Sequence, residues 1–232
     1  LGDPDRRKVI KAEEGEIFDI ELEESLLEKN RILAQRNRKI LEENGILAID
    51  VMGSIGSGKT SLIKQMVRRL KSRYAIAVIA GDLTTTIDAD RIREEGVEVV
   101  QVNTGKECHL DANLVWKAIS RLPLKELDLL FIENVGNLIC PGEFPLGSHK
   151  RVVVISITEG PYMIVKHPYI FMDADVVVIN KIDLSYAMAI PPEKLEMDLL
   201  RIKPSAKAIR TNCLTGDGVD SVIEALGIRK DA

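Results

Sequence analysis

Cysteine is scarce: the 232-residue chain has three, Cys108, Cys140 and Cys213. So few, and an odd number, make no disulfide framework and point to a reducing, cytoplasmic setting. Excess positive charge is also missing. Thirty-two Lys and Arg against 36 Asp and Glu leave a net charge of −4, which argues against nucleic acid as the partner. The one basic cluster, Arg68, Arg69, Lys71 and Arg73, reads as a solvated helix end that complements the helix dipole. No apolar run reaches the roughly 20 residues of a membrane span, so no membrane partner is expected. The first residues are charged rather than signal-like. There is no internal repeat and no low-complexity tract. What remains is an ordinary globular composition, 45% hydrophobic and 29% charged, long enough for one α/β domain and an extension.

The stretch that organises the rest is Gly53-Ser54-Ile55-Gly56-Ser57-Gly58-Lys59-Thr60. It reads G-x-x-x-x-G-K-T between an apolar run, Ile46 to Met52, and a periodic segment, Thr60 to Leu70. Strand, glycine loop, helix is the context a phosphate-binding P-loop requires. The glycines let successive N–H groups converge on one anion, and the helix adds its positive dipole end. Gly53, Ser54, Gly56, Ser57, Gly58, Lys59, Thr60 and Ser61 are the expected phosphate contacts. Lys59 places a cation on the β- and γ-phosphates, and the Thr60 hydroxyl is a ligand for Mg²⁺.

Around this motif the chain alternates. Residues 1–20 read as an irregular charged arm, and Glu21 to Asn44 as an amphipathic helix with a stripe of Leu22, Leu26, Leu27, Leu33, Ala34, Ile40 and Leu41. Strands are expected at Tyr74 to Ala80, Val97 to Val102, Leu127 to Ile132, Val152 to Ile157, Val176 to Ile179 and Ala206 to Thr211. Helices are expected at Asp88 to Glu95, Leu110 to Leu122, Tyr169 to Met172, Pro192 to Ile202 and Val219 to Leu226. Asn134 to Lys150 is a long loop, a length that usually carries function. The pattern predicts an α/β fold: a mostly parallel, doubly wound P-loop NTPase sheet of about seven strands with flanking helices and an amino-terminal helical extension. Residues 1–45 form the arm and helix, and 46–228 a nucleotide-binding domain with embedded metal-binding loops.

Asn180-Lys181-Ile182-Asp183 reads N-K-x-D at a strand's carboxyl end and chooses the base. The Asp183 carboxylate can accept two hydrogen bonds from the N1–H and 2-amino group of guanine; adenine offers neither donor there. The Lys181 stem lies over the base. In the loop from Asn212 to Gly216, the amides of Cys213 and Leu214 are placed to reach the guanine oxygen. Three acids at or after strand ends, Asp82, Asp88 and Glu133, join Thr60 as Mg²⁺ candidates. Asp88 is alternatively the N-cap of its helix, or the group that orients water. Glu133-Asn134-Val135-Gly136 looks like the D-x-x-G element of GTPases with Glu for Asp; the Gly136 N–H would sense the γ-phosphate. Lys59, Asp88, Glu133 and Gly136 are the catalytic set. Asn137 follows where Gln would position water, so intrinsic hydrolysis is expected to be slow.

Cys108 and His109 are adjacent, and Cys140 lies in the long loop after Glu133. Thiolate and imidazole select soft or borderline ions such as Zn²⁺, Ni²⁺ and Cu. Three ligands do not close a structural tetrahedral site, but two chains meeting here would. On spacing alone, two buried cysteines and a capping histidine is the commoner arrangement. Because Cys140 follows Gly136 closely, a loop that moves with the γ-phosphate would move the thiolate, coupling nucleotide state to metal affinity.

Together the glycine loop, Gly81-Asp82 with Asp88-Ala89-Asp90-Arg91-Ile92, the run from Asn103 to Ala112, the run from Phe131 to Pro141, Phe144-Pro145-Leu146-Gly147, Thr158-Glu159-Gly160 and Asn180 to Asp183 resemble the hydrogenase maturation nickel-insertion GTPases. The likeness runs in order through residues 46–216. It implies a GTP-hydrolysing metallochaperone that couples nucleotide state to nickel delivery for nickel–iron hydrogenase. The implied cofactors are GTP, Mg²⁺ and Ni²⁺ or Zn²⁺, the last held by Cys108, His109 and Cys140. The implied partners are a second copy of the chain through the metal-loop face, promoted by GTP, and a zinc-containing maturation protein. The hydrogenase large-subunit precursor would be reached indirectly. Some members of that family carry an amino-terminal cysteine motif or a His-rich tract, and this sequence has neither. The alternatives are a urease-type nickel chaperone GTPase, which usually presents Cys-Pro-His, and a regulatory GTPase without metal function. A P-loop kinase is opposed by the N-K-x-D element.

Overall fold

Runs of Val, Ile and Ala flanked by helical patterns can bury both faces only in the middle of a parallel sheet. The computed structural model describes residues 20–82, 85–105 and 109–228, with side chains from residue 25 in the first helix. Helix α1 (Ile20–Glu43) leads into β1 (Leu47–Gly53), α2 (Lys59–Leu70), β2 (Ile76–Asp82), α3 (Ile87–Arg93), β3 (Glu98–Asn103), α4 (Ala112–Ile119) and β4 (Leu129–Glu133). Then follow β5 (Lys150–Ser156), α5 (Met163–Lys166), α6 (Pro168–Met172), β6 (Val176–Asn180), α7 (Pro192–Ile202), β7 (Ala208–Arg210) and α8 (Val219–Ala225). The seven strands lie in the order β3-β2-β4-β1-β5-β6-β7. Every neighbouring pair is parallel, a stronger result than the mostly parallel sheet expected. With β1 between β4 and β5, the loop after β1 opens at the centre of the carboxyl edge, where open α/β sheets bind ligands.

One face of the sheet is covered by α2, α3 and α8, whose Leu62, Met66, Ile92 and Val222 pack on Ile49, Val78, Phe131 and Val178. On the other face, α1 and α4 cover one half through Leu41, Val115 and Ala118. The second half is covered by α5, α6 and α7 through Ile164, Phe171 and Leu195. Each large side chain among these contributes about 1.5–3 kcal/mol of apolar burial.

The apolar stripe of α1 is only partly realised. Ala34 and Leu41 are buried, but Leu26 is 52% exposed; the Leu22 side chain lies outside the described residues. Asn30 and Asn37 are buried in line with them. The reason is that α1 covers backbone as well as side chains. Ala112 N–H donates to Asn30 Oδ1 (2.8 Å), and Asn30 Nδ2 donates to the Pro145 carbonyl (2.9 Å). Asn37 Nδ2 donates to the carbonyls of Ala112 (2.8 Å) and Leu146 (3.0 Å). Buried backbone groups need polar partners, and a leucine cannot supply them.

Other boundaries shift for similar local reasons. Helix α4 starts at Ala112 because Asp111 caps it, accepting the Leu114 N–H at 2.7 Å; Leu110 sits fully buried ahead of it. Helix α3 starts at Ile87 with Thr86 at its N-cap, so Asp88 lies in the first turn and is not the cap. The long loop buries Val135, Leu138 and Leu146 and makes a 3₁₀ turn at Cys140–Gly142. The irregular arm expected at the start falls outside the described residues, except for Ile20.

Candidate nucleotide site

The chain leaves β1 at Gly53 and enters α2 at Lys59. Gly58 turns it with φ +108°, and a Cβ there would lie 2.1 Å from Asn180 Nδ2, so the position demands glycine. Lys59 Nζ donates to the carbonyls of Gly53 (3.2 Å) and Ser54 (3.0 Å). Burial pulls its pKa down, opposed first by the charge of Glu133. Ser57 is fully buried, and its hydroxyl has no hydrogen-bond partner among the described residues.

At the end of β4, Thr60 Oγ1 donates to Glu133 Oε1 at 2.6 Å. Glu133 is 3% exposed, and burial pushes its pKa up to about 7 against the Thr60 hydrogen bond and the Lys59 charge. Its second oxygen, Oε2, is buried with no partner among the described residues. A hydroxyl and an orphaned carboxylate oxygen side by side are hard donors that fit Mg²⁺. Asp82 and Asp88 line the same cleft. Asp82 accepts from the Thr85 hydroxyl (2.8 Å), and Asp88 lies 3.4 Å from Arg91. Gly136 rests directly on the glycine loop: a Cβ there would meet Ile55 Cγ1 at 2.3 Å. The next residue, Asn137, bridges to Gly53.

The far end of this cleft, about 910 Å³ in volume, is formed by Asn180, Lys181, Asp183, Cys213 and Leu214. Asn180, at the end of β6, holds loops together. Its Nδ2 donates to the Ser57 carbonyl (2.8 Å), and its Oδ1 accepts from Thr211 Oγ1 (3.1 Å) and Cys213 N–H (3.0 Å). The Leu214 amide donates to Asn212 Oδ1 (3.0 Å). Both amides expected to face guanine are therefore engaged within the protein. Cys213 belongs to the hydrophobic core, where burial raises its thiol pKa. Lys181 adopts a left-handed φ of 59°, and Asp183 is exposed in the cleft.

Of the expected soft-metal ligands, Cys108 lies outside the described residues. The His109 ring packs on Phe144, centroids 4.0 Å apart, and Phe144 belongs to the loop that carries Cys140. The two loops therefore do meet. Cys140 opens the 3₁₀ turn and is half-buried.

Sequence reasoning passed over two buried polar residues behind the site, Asp50 and Asn134, both 0% exposed. The signal for Asp50 was present: it is the one charge inside an apolar strand run.

A glycine loop ending in Lys59-Thr60 and an N-K-x-D strand end, in one cleft at the carboxyl edge of a parallel sheet, define a P-loop protein of the GTPase class. Residues 47–210 match the CobW/HypB/UreG nucleotide-binding domain. The chain is 52% identical to the probable hydrogenase maturation factor HypB of Methanocaldococcus jannaschii over 205 residues, 88% of this chain and 93% of that one. The crystal structure of HypB from Archaeoglobus fulgidus superposes with a TM-score of 0.80 at 43% identity, covering 86% of this chain and 98% of that one. HypB from Helicobacter pylori, solved in complex with nickel, gives 0.80 at 31% identity over 88% and 99% of the two chains. The chain belongs to the CobW/HypB/UreG nucleotide-binding family, among its HypB hydrogenase maturation factors.

Proposed function

We propose that this protein is a GTP-hydrolysing nickel metallochaperone for nickel–iron hydrogenase maturation. The observation that carries the reading is one cleft with Asp183 at its base end and Lys59, Thr60 and Glu133 at its phosphate end. Asp183 selects guanine by accepting from N1–H and the 2-amino group. Lys59 exchanges the carbonyls of Gly53 and Ser54 for the β- and γ-phosphates. Thr60 and Glu133, with Asp82 beside them, would hold Mg²⁺, which supplies charge neutralisation at the phosphate oxygens. Asp88 orients the attacking water. The water oxygen bonds to the γ-phosphorus as the bond to the β–γ bridging oxygen breaks, giving GDP and phosphate. Gly136 donates its N–H to the γ-phosphate and so reports its presence. With Asn137 in place of a water-positioning Gln, turnover is slow.

The cargo is Ni²⁺, with Zn²⁺ as the competing ion, taken by Cys108, His109 and Cys140 at a face shared by two copies of the chain. The contact between His109 and Phe144 supports this placement, as does a relative solved with nickel. GTP promotes the dimer, and a zinc-containing maturation protein exchanges nickel with it before the hydrogenase precursor is reached. The test pairs phosphate release from GTP and ATP with nickel and zinc titration in GDP and in a non-hydrolysable GTP analogue. The expected result is GTP-selective hydrolysis and a metal affinity that depends on the nucleotide and is lost in Cys108→Ala. Equal hydrolysis of ATP would overturn the base assignment, and no bound metal in either state would overturn the cargo assignment.

A further inference from the structure

Asn134 stands between the nucleotide end of the cleft and the loop that carries His109. It follows Glu133, and two residues later Gly136 lies on the glycine loop. Its backbone is fixed to the central strand, N–H to the Val51 carbonyl at 3.0 Å. Its side chain is completely buried and makes three connections. Oδ1 accepts from its neighbour Val135 N–H (3.0 Å) and from Leu110 N–H (3.1 Å). Nδ2 donates to Asp50 Oδ1, a longer bond of 3.4 Å. The amide orientation is forced: two backbone N–H groups can only donate, so the oxygen faces them, and the nitrogen is left facing a carboxylate.

Leu110 follows His109 directly and is fully buried. It packs where Gly81 leaves room: a Cβ on Gly81 would lie 2.8 Å from Leu110 Cδ1 and 3.0 Å from the Glu133 carbonyl. The loop end is thus seated against the carboxyl ends of β2 and β4, and the Leu110 N–H ties it to Asn134, the residue after β4. That bond shares its acceptor with the Val135 amide. A shift of the Val135–Gly136 segment that brings Gly136 N–H to a γ-phosphate carries the preceding Val135 N–H with it and so changes what Oδ1 holds, and Leu110 N–H is the other group it holds.

We propose that Asn134 is the positioning residue through which the γ-phosphate-sensing segment Val135–Gly136 moves the His109 loop, with Asp50 holding the Asn134 amide in register. The proposal rests on the nucleotide reading above and adds the residue that transmits it. The polar chain runs Val135, Asn134, Leu110, and Asp50 is its anchor in β1.

The test is hydrogen exchange of the peptide containing the Leu110 amide, at saturating GDP and at a saturating non-hydrolysable GTP analogue. In the native sequence the exchange rate there is expected to differ at least about fivefold between the two nucleotides. In Asn134→Ala the amide exchanges fast with both, and the difference disappears. Asp50→Ala reduces it, whereas Asp50→Asn, which still offers an oxygen to Asn134 Nδ2, retains it. Where Asn134→Ala does not fold, the Asp50 pair decides. A native protein with no nucleotide-dependent exchange at Leu110 overturns the proposal, as does an Asn134→Ala protein that keeps the native difference. Nickel affinity measured in the same two nucleotide states separates the two ideas. If Leu110 responds and nickel affinity does not, the coupling of nucleotide to cargo falls and the relay stands.

Discussion

Replacing Asp50 by Asn is expected to make the protein more stable, by an amount that grows as pH rises from about 4 and levels off above about 6. Asp50 is fully buried, Oδ2 has no partner among the described residues, and Oδ1 has only the long bond from Asn134. Burial raises its pKa from 3.8 to about 6, although Arg151 on the adjacent strand favours the ionised form, and so does the Asn134 hydrogen bond. The folded state therefore holds this proton more tightly than the unfolded chain does. Between the two pKa values the folded protein binds more protons, so stability falls as pH rises through that window. At 1.36 kcal/mol per unit, a shift of roughly two units removes about 3 kcal/mol once the pH is well above 6. The amide introduced by Asp50→Asn would keep an oxygen for Asn134 and never ionise. The variant should match the native protein near pH 4 and exceed it by about 3 kcal/mol near pH 8, a melting shift of about 6–12 °C for a chain of this size. Urea unfolding of both proteins at the two pH values, without nucleotide, measures this. A stability difference that is the same at both pH values would refute the reasoning. So would an Asp50→Asn protein less stable than the native one near pH 8, which would mean that Arg151 outweighs burial.

Three further changes follow from the geometry. Asp183→Asn removes the acceptor for two guanine donors and should weaken GTP by about 10²–10⁴-fold while admitting xanthosine triphosphate, whose 2-oxo group accepts from the new amide; competition binding with both nucleotides reads this, and unchanged GTP affinity would sink the base assignment. Gly58→Ala places a Cβ 2.1 Å from Asn180 Nδ2 at φ +108°, so a loss of about 3 kcal/mol and of GDP binding is expected in unfolding and fluorescence titrations. Asn37→Ala strands the carbonyls of Ala112 and Leu146 and should cost about 2–4 kcal/mol by urea unfolding, against less than about 0.5 for an exposed α1 position such as Gln35→Ala.

The sheet is legible in the sequence because its strands are buried on both faces. Val152, Val153, Val154 and Ile155 are all inaccessible, and so short a run of β-branched residues reads as a buried strand. The glycine loop is legible because its spacing is dictated by phosphate geometry. Side chains that bond backbone are not, because a residue type says nothing about which carbonyl lies opposite. Asn30 and Asn37 interrupt an apolar stripe and look like its gaps, although they are its most specific contacts. The Cys213 and Leu214 amides point outward in a sequence reading because the loop position suits guanine. Asn180 and Asn212, drawn from the same sequence, accept both.

The loops around this site are held by asparagine amides as well as by the burial of Leu110, Val135, Leu138 and Leu146. Asn180 joins the glycine loop to the loop after β7, Asn134 joins the segment after β4 to Leu110, and Asn30 and Asn37 join α1 to the start of α4 and to the loop ahead of β5. Each side chain spans two chain segments: Asn30, Asn134 and Asn180 donate and accept at once, and Asn37 donates to two carbonyls. The energetics suit a switch. A net hydrogen bond is worth about 0.5–1.5 kcal/mol, whereas withdrawing a buried leucine costs about 2–5 kcal/mol. On the proposed reading, a γ-phosphate that gains one charge-assisted bond from Gly136, worth about 1.5–3 kcal/mol, would rearrange the first kind of contact and not the second. On the proposed relay the apolar core, Leu110 included, stays seated while the hydrogen bonds of the loops that carry His109 and Cys140 answer to the nucleotide.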